Sequence, residues 1–261
     1  MVLLMLEFLP PELSLSILLA AFGITMCAGA VKGALGFAMP LIMISALSGL
    51  MPVELALAGM MLPTLITNLS QTLRQGWPAA WGSIRQYWRM LVAIVLFMLL
   101  SAQALSFLSG PVLLAILGVP IIAFAVVQLA GIPLRIAVAR RRRAEWTSGI
   151  IAGLYGGITG VWGPPVMVYL ISVDTNKRDT VRVLGIVFLI GAVALIAGHL
   201  VSGVANAQSL TFSAMLVVPG MLGMWLGYLV QDMLDAERFR RWTLIMMVVL
   251  GLNLLRQALA G

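Results

Sequence analysis

The sequence predicts an all-α polytopic membrane protein made of two inverted-topology repeats, with about eight to ten membrane segments and broken or short helices at Gly/Pro motifs. The first observation is composition: 62% of the 261 residues are hydrophobic, 10% are charged, and the mean hydropathy is +1.08. A water-soluble domain of this length could not bury so much apolar surface, so the expected solvent is the lipid bilayer. The second observation is a Gly/Pro motif that occurs twice. The third is the placement of Lys and Arg between the apolar runs.

Apolar runs separated by charged and Pro/Gly-rich stretches define the predicted segments. In the first half they lie near residues 13–31, 37–50, 53–72, 90–108 and 111–133. In the second half they lie near residues 148–160, 164–173, 181–203, 210–231 and 242–259. We therefore predict, as parts of one membrane domain, an N-terminal repeat over residues 1–134, an Arg-rich cytoplasmic loop over 135–147 and a C-terminal repeat over 148–261. Residues 1–13 contain no Lys or Arg, so they are not expected to act as a cleavable signal peptide.

The repeated motif relates the two halves by one constant offset. Residues 28–47 align without a gap to residues 152–171, an offset of 152 minus 28, or 124 residues. The alignment pairs Gly29 with Gly153, Gly33 with Gly157, Gly36 with Gly160, and Pro40 with Pro164. Small apolar residues recur by chance in membrane helices, but three glycines and a proline in one register indicate an internal duplication.

Positive charge then predicts the topology. The densest cluster contains Arg135 and residues 140–143, and the positive-inside rule places this loop in the cytoplasm. The stretch with Arg74, Arg85 and Arg89 falls on the same side when the segments are counted. Five segments in each half is an odd number, so the second half is expected to be inverted relative to the first, with both termini outside.

Both copies of the motif interrupt long apolar stretches, where glycine lowers helix stability by about 1 kcal/mol and proline by about 3 kcal/mol. Freed backbone groups are tolerated in lipid only where protein or a wet cavity satisfies them, so matching breaks in two halves point to a substrate site. The alternative is tight helix packing, because Gly29-x-x-x-Gly33 and Gly153-x-x-x-Gly157 are also close-packing patterns. The added prolines favour a functional break.

A helix that begins at such a break suits an anion. Its first turn carries roughly half a positive charge and several unpaired N–H donors. Pro40, Pro164 and Pro165 are suitable residues for starting such half-helices. We expect the two motifs to meet and to direct these donors at one central site.

Lys32, inside the first motif, is the sharpest single clue. A lysine in the middle of the membrane costs roughly 2.5–3.5 kcal/mol, so its retention needs a reason. The alternative is that Lys32 sits near a helix end and its side chain reaches cytoplasmic water. Asn68 belongs to a polar face at helical spacing with Thr64, Thr67 and Gln71, which either lines a path or bonds a neighbouring helix.

Several function classes are not supported by any motif. The sequence has no phosphate-binding G-x-x-x-x-G-K-[ST] loop, no H-E-x-x-H, no G-x-S-x-G and no C-x-x-C. With one His and one Cys, ligands for a haem or a metal are too few, so we expect no enzyme activity, no cofactor and no metal site. The net charge of +7 comes from Arg-rich stretches between apolar runs, and we expect no nucleic-acid partner.

At these residues the chain resembles the sulfite exporter TauE/SafE family of bacterial membrane proteins. The resemblance rests on Gly29, Lys32-Gly33, Gly36-Phe37 and Pro40, and on Gly153, Gly157-Ile158-Thr159-Gly160, Gly163-Pro164-Pro165 and Tyr169. The first copy has Ala38-Met39 where the family is commonly richer in glycine. The resemblance covers nearly the whole chain. It implies a multi-pass protein of the bacterial cytoplasmic (inner) membrane that moves sulfite, sulfonates or related small organosulfur anions out of the cell.

The predicted function is therefore secondary export of a small anion, which the family resemblance implies is sulfite or an organosulfonate. The lipid bilayer and a second copy of the chain in a homodimer are the other expected partners. The predicted substrate-binding residues are Lys32, Gly33, Gly36, Pro40, Asn68, Gly157, Thr159, Gly160, Gly163 and Pro164. Export needs no nucleotide, because each anionic charge that leaves a negative interior gains roughly 2.3 kcal/mol per 100 mV. The rivals are a structural or assembly membrane protein and an anion channel.

Overall fold

The computed structural model describes residues 14–103, 110–132, 136–159, 162–201 and 206–260. Within them lie eleven α-helices and one short 3-10 helix, Val138–Arg140. The α-helices are α1 (Leu15–Leu35), α2 (Met39–Leu47), α3 (Val53–Leu73), α4 (Trp77–Gln86), α5 (Trp88–Gln103), α6 (Gly110–Leu129), α7 (Arg141–Thr159), α8 (Gly163–Ser172), α9 (Lys177–Val201), α10 (Ala207–Met233) and α11 (Ala236–Ala260). The described ranges contain no strand, so the predicted all-α class is confirmed.

Every predicted apolar segment overlaps a helix, although the ends of some segments lie outside the described residues, and two stretches predicted as loops are helical as well. The stretch between α3 and α5 contains α4, which begins after Gly76 (φ 85°) and has Pro78 in its first turn. The second half of the predicted Arg-rich loop is the start of α7. Residues 1–13 lie outside the described part of the chain.

Three of the described helices are long and apolar enough to cross a membrane on length and composition. They are Leu15–Leu35, Ala207–Met233 and Ala236–Leu259, with mean hydropathies of 1.8, 1.6 and 1.5. The pair α4 and α5, bent by 74° at its junction, also passes when it is taken together. α10 exposes a row of large apolar side chains that suits lipid contact, including Val218, Leu222 and Trp225. The predicted total of eight to ten segments stays a prediction.

The helices group into two compact units. Unit 1 contains Met1–Arg74 and Phe188–Met233, and unit 2 contains Gln75–Val187 and Leu234–Gly261. Each unit therefore takes helices from both sequence halves: α1 packs on α10 in unit 1, and α7 packs on α5 in unit 2. The division of the sequence at residues 134 and 148 stays a prediction.

Both copies of the Gly/Pro motif form a helix, a break and a short second helix. α1 ends at Leu35, and α7 is described as far as Thr159, with residues 160 and 161 outside the described part of the chain. α2 begins at Met39 and α8 at Gly163, which differ by 163 minus 39, or 124 residues, the offset of the sequence alignment. The structure thus interrupts the first copy at residues 36–38, and in the second copy it describes the non-helical Trp162 directly before α8.

The core of unit 1 is built where α1 and α10 approach closely. A Cβ at Gly33 would lie 2.9 Å from the Gly227 Cα, and a Cβ at Gly29 would lie 3.1 Å from the Met224 backbone nitrogen. The first distance is shorter than real Cβ contacts, and the second is tighter than nine in ten of them. The glycines on the two helices therefore allow backbone-to-backbone packing, which is the role that a G-x-x-x-G spacing has in membrane helices.

Ser213 of α10 repairs a defect that proline creates in α3. Pro63 lies inside α3 and has no N–H, so the Gly59 carbonyl loses its normal helix partner. The Ser213 hydroxyl donates to that carbonyl at 3.0 Å and accepts from the Leu62 N–H at 3.0 Å. The Ser213 side chain is fully buried, so these two bonds replace water that cannot reach the site.

Ser213→Ala is expected to lower the free energy of unfolding by about 1–3 kcal/mol, because it leaves the Gly59 carbonyl buried without a donor. The measurement is thermal or denaturant unfolding in detergent. In the Pro63→Ala background the new N–H can serve Gly59, so the same substitution should cost less. Equal costs in the two backgrounds would contradict the repair role.

Candidate functional site

The first break presents an uncapped helix start. Gly36 ends α1 in the left-handed region (φ 88°), and its N–H donates to the Lys32 carbonyl at 2.6 Å. Ala38, the residue before α2, is also left-handed (φ 78°), which costs a residue with a Cβ about 1–2 kcal/mol. α2 has Pro40 in its first turn and no side-chain hydrogen bond at its N-cap. The first N–H groups of α2 thus have no capping side chain.

Lys32 is buried and held by neutral groups. Its side chain is only 1% exposed, so the alternative in which it reaches water is wrong. The Nζ atom donates to Thr67 Oγ1 at 2.9 Å and to Asn68 Oδ1. Thr67 Oγ1 in turn donates to the Pro63 carbonyl at 2.6 Å. The salt bridges among the described residues do not include Lys32.

The predicted polar face of α3 is buried against this break. Thr64, Thr67, Asn68 and Gln71 are each at most 5% exposed. The Gln71 Nε2 atom donates to the Gly36 carbonyl at 2.9 Å, which satisfies a helix-end acceptor. The Asn68 Oδ1 atom accepts a hydrogen bond from Lys32 of α1, so the polar face does bond a neighbouring helix, which is one of the two alternatives that the sequence left open. The Asn68 Nδ2 group is buried with no hydrogen-bond partner among the described residues.

The other predicted site residues are distributed differently. Gly33 lies against α10, and its assignment to the substrate stays a prediction. Gly157 and Thr159 belong to the last turn of α7, and Gly163 and Pro164 are buried at the start of α8 in unit 2. Gly160 lies outside the described residues. The structure thus groups Lys32, Gly36 and Asn68, while the predicted meeting of the two motifs stays a prediction.

The second copy lacks an equivalent of Lys32. Adding 124 to 32 gives Gly156, and a Cβ there would lie 2.7 Å from an atom of the Trp162 ring. α8 is tied to α7 by the Ser148 hydroxyl, which donates to the Pro165 carbonyl at 3.1 Å. An indole therefore packs at the glycine that corresponds to the lysine of the first copy.

The sequence interpretation did not anticipate the contacts of two charged side chains. In unit 1, Arg74 donates to Gln231 and, at 2.8 Å, to Asp232, and it lies 3.7 Å from the centre of the Tyr228 ring. In unit 2, Glu145 is 5% exposed and its Oε2 atom lies 3.4 Å from Arg89 Nη1. Glu145 shares a helix face with Ser148 and Ala152, so a longer α7 in the prediction would have placed it among buried residues.

The Lys32 cluster offers donors and positive charge. It provides an ammonium, an amide N–H₂ group and an uncapped helix start, which are suited to holding an anion without a covalent step. Among the residues that the structure describes, no group of three His, Cys, Asp or Glu side chains could hold a metal ion.

These features define the class: a multi-pass helical membrane protein with broken helices and a buried lysine. A family model described as "Sulfite exporter TauE/SafE" matches residues 20–254, nearly the whole chain. The chain belongs to the sulfite exporter TauE/SafE family, whose members are membrane transporters rather than enzymes. No curated protein and no solved structure matches it.

Proposed function

We propose that the protein is a secondary transporter that exports a small anion, sulfite or an organosulfonate, across the bacterial cytoplasmic membrane. The observation that carries this proposal is Lys32, a buried cationic side chain whose hydrogen-bond partners, Thr67 and Asn68, are both neutral. Family membership supports transport as the class of function.

The energetics of burial explain why an anion fits. A lysine inside the membrane costs roughly 2.5–3.5 kcal/mol, and neutral oxygen partners offset only part of this cost. An anion that binds beside Lys32 would neutralise the charge. It would also supply an acceptor for the buried Asn68 Nδ2 group.

Two inverted repeats are part of the proposal. They are supported by the first residues of α2 and α8, which lie 124 residues apart, as in the sequence alignment. They are also supported by two helix pairs that correspond at this offset: α1 packs on α10, and α7 packs on α5. α1 corresponds to α7 in the motif alignment, and residues 207–233 of α10 correspond to residues 83–109, which include α5. Movement of one half against the other would give alternating access.

The alternative, a structural membrane protein, is supported by the packing role of the motif glycines. Gly29 and Gly33 contact α10 of the same chain, which accounts for their spacing by packing. Packing does not account for a buried ammonium, since an apolar side chain would fill the same space at lower cost. With these glycines used inside the chain, the proposed homodimer would need another surface.

The proposal is tested with proteoliposomes that are loaded with radiolabelled methanesulfonate or sulfite. An inside-negative diffusion potential should accelerate efflux, because each leaving charge gains roughly 2.3 kcal/mol per 100 mV. Protein-free liposomes under the same potential are the control for leakage. Efflux equal to that of the protein-free liposomes would contradict transport.

A further inference from the structure

We infer that the Lys32 site accepts anions that carry no cationic group and rejects zwitterions. This inference rests on the proposed function and narrows its substrate class. It follows from the kinds of polar atom that the described residues of unit 1 place beside Lys32: positive charge and donors are present there, whereas a carboxylate to receive a substrate ammonium is not.

The charges of unit 1 are few. Over residues 14–74, 188–201 and 206–233, the cationic Lys and Arg side chains are Lys32 and Arg74, and the carboxylates are Glu54 and Asp232. Glu7 and Glu12 precede this range and lie outside the described residues. Within this described part of unit 1, a substrate ammonium beside Lys32 would therefore depend on one of two carboxylates.

Neither carboxylate is suitably placed. Glu54 is exposed in the first turn of α3, 68 minus 54, or 14 residues before Asn68, which is roughly 21 Å along the helix. Asp232 is mostly exposed, at 61%, and accepts from Arg74 at 2.8 Å. An ammonium that approached Asp232 would have to replace an arginine already bound there.

The two acceptors that Lys32 contacts are already engaged by its ammonium group. Asn68 Oδ1 and Thr67 Oγ1 both accept from Lys32, and the Gly36 carbonyl accepts from Gln71 and from no cation. The buried polar groups of the cluster that have no hydrogen-bond partner among the described residues include the Asn68 Nδ2 donor and the neutral Thr64 hydroxyl, and neither carries a negative charge. A substrate ammonium would meet repulsion from Lys32 with no compensating acceptor charge, and such like-charge contacts are strongly disfavoured in a dry site.

The test uses three sulfonates with the same two-carbon skeleton. Radiolabelled ethanesulfonate is transported into proteoliposomes at neutral pH while unlabelled competitor is added. The competitors are ethanesulfonate itself, 2-hydroxyethanesulfonate and 2-aminoethanesulfonate. The hydroxyl compound matches the amino compound in size and polarity but has no positive charge, so it is the matched control.

We expect the hydroxyl compound to compete nearly as well as ethanesulfonate, and the amino compound to compete on the order of tenfold or more weakly. Equal competition by the amino and hydroxyl compounds would overturn the inference and leave the proposed function standing. Weak competition by both would show selection by size or polarity rather than by charge, and would also overturn it. Absence of protein-dependent ethanesulfonate and sulfite transport would overturn the proposed function itself.

Discussion

Lys32→Met is expected to reduce anion transport by roughly 30-fold or more, because removal of one member of a buried charged contact costs about 2–5 kcal/mol. The thermal stability of the variant should be equal to or higher than that of the wild type. Methionine fills a similar volume and removes the cost of burying an ammonium, which offsets the hydrogen bonds lost at Thr67 and Asn68. Initial rates in proteoliposomes and melting curves in detergent measure the two effects.

The chain supplies its own control for this experiment. The sequence has two lysines, and the second, Lys177, donates to the Leu234 carbonyl at 2.6 Å in unit 2. Lys177→Met should retain most of the transport activity. If Lys32→Met instead lowers the melting temperature and transport together, Lys32 has a structural role and the proposed site is wrong.

Gly33→Ala is expected to destabilise the protein by about 1–3 kcal/mol, because the added methyl group would meet the backbone of α10 near Met224 and Gly227. Backbone atoms cannot move aside as a flexible side chain can. Gly23→Ala is the matched control, since Gly23 lies on the same helix and has no atom within 4 Å of an added Cβ. It should be neutral or slightly stabilising, by up to about 1 kcal/mol, because alanine favours helix.

Detergent melting curves and gel filtration distinguish packing within the chain from packing between chains. Packing of Gly33 within the chain predicts a lower melting temperature for Gly33→Ala at every protein concentration. A loss of stability that disappears at high protein concentration, together with a change from dimer to monomer, would instead place Gly33 in a dimer interface.

The sequence predicted the interruptions better than the contacts around them. Glycine and proline act through local backbone geometry, so Gly36 and Pro40 could be placed at a break from the sequence alone. The pairing of Lys32 with Asn68 could not, because it depends on how α1 crosses α3 in three dimensions. The periodic face with Thr64, Thr67 and Gln71 indicated only that Asn68 would face something polar.

The missed elements share a physical cause. α4 is short and amphipathic, and its Pro78, Gly82 and Arg85 interrupt the apolar run by which membrane helices are recognised. Glu145 was placed in a loop because the charged residues at 141–143 concealed the start of α7. Likewise, the packing of α1 on α10 could not be predicted from the sequence, because Gly29 and Gly33 indicate close helix packing without specifying the partner helix.

The link between Ser213 and Gly59 bears on how the chain is made. The hydroxyl that completes α3 is encoded 154 residues after the carbonyl it serves. While the ribosome is still synthesising the segments between them, α3 is expected to lie in the translocon or the lipid with the Gly59 carbonyl oxygen lacking a hydrogen-bond donor. The Ser213 hydroxyl can donate to this oxygen only after α10 has been inserted. We therefore expect α3 to reach its final packing late, after most of the second half of the chain has entered the membrane.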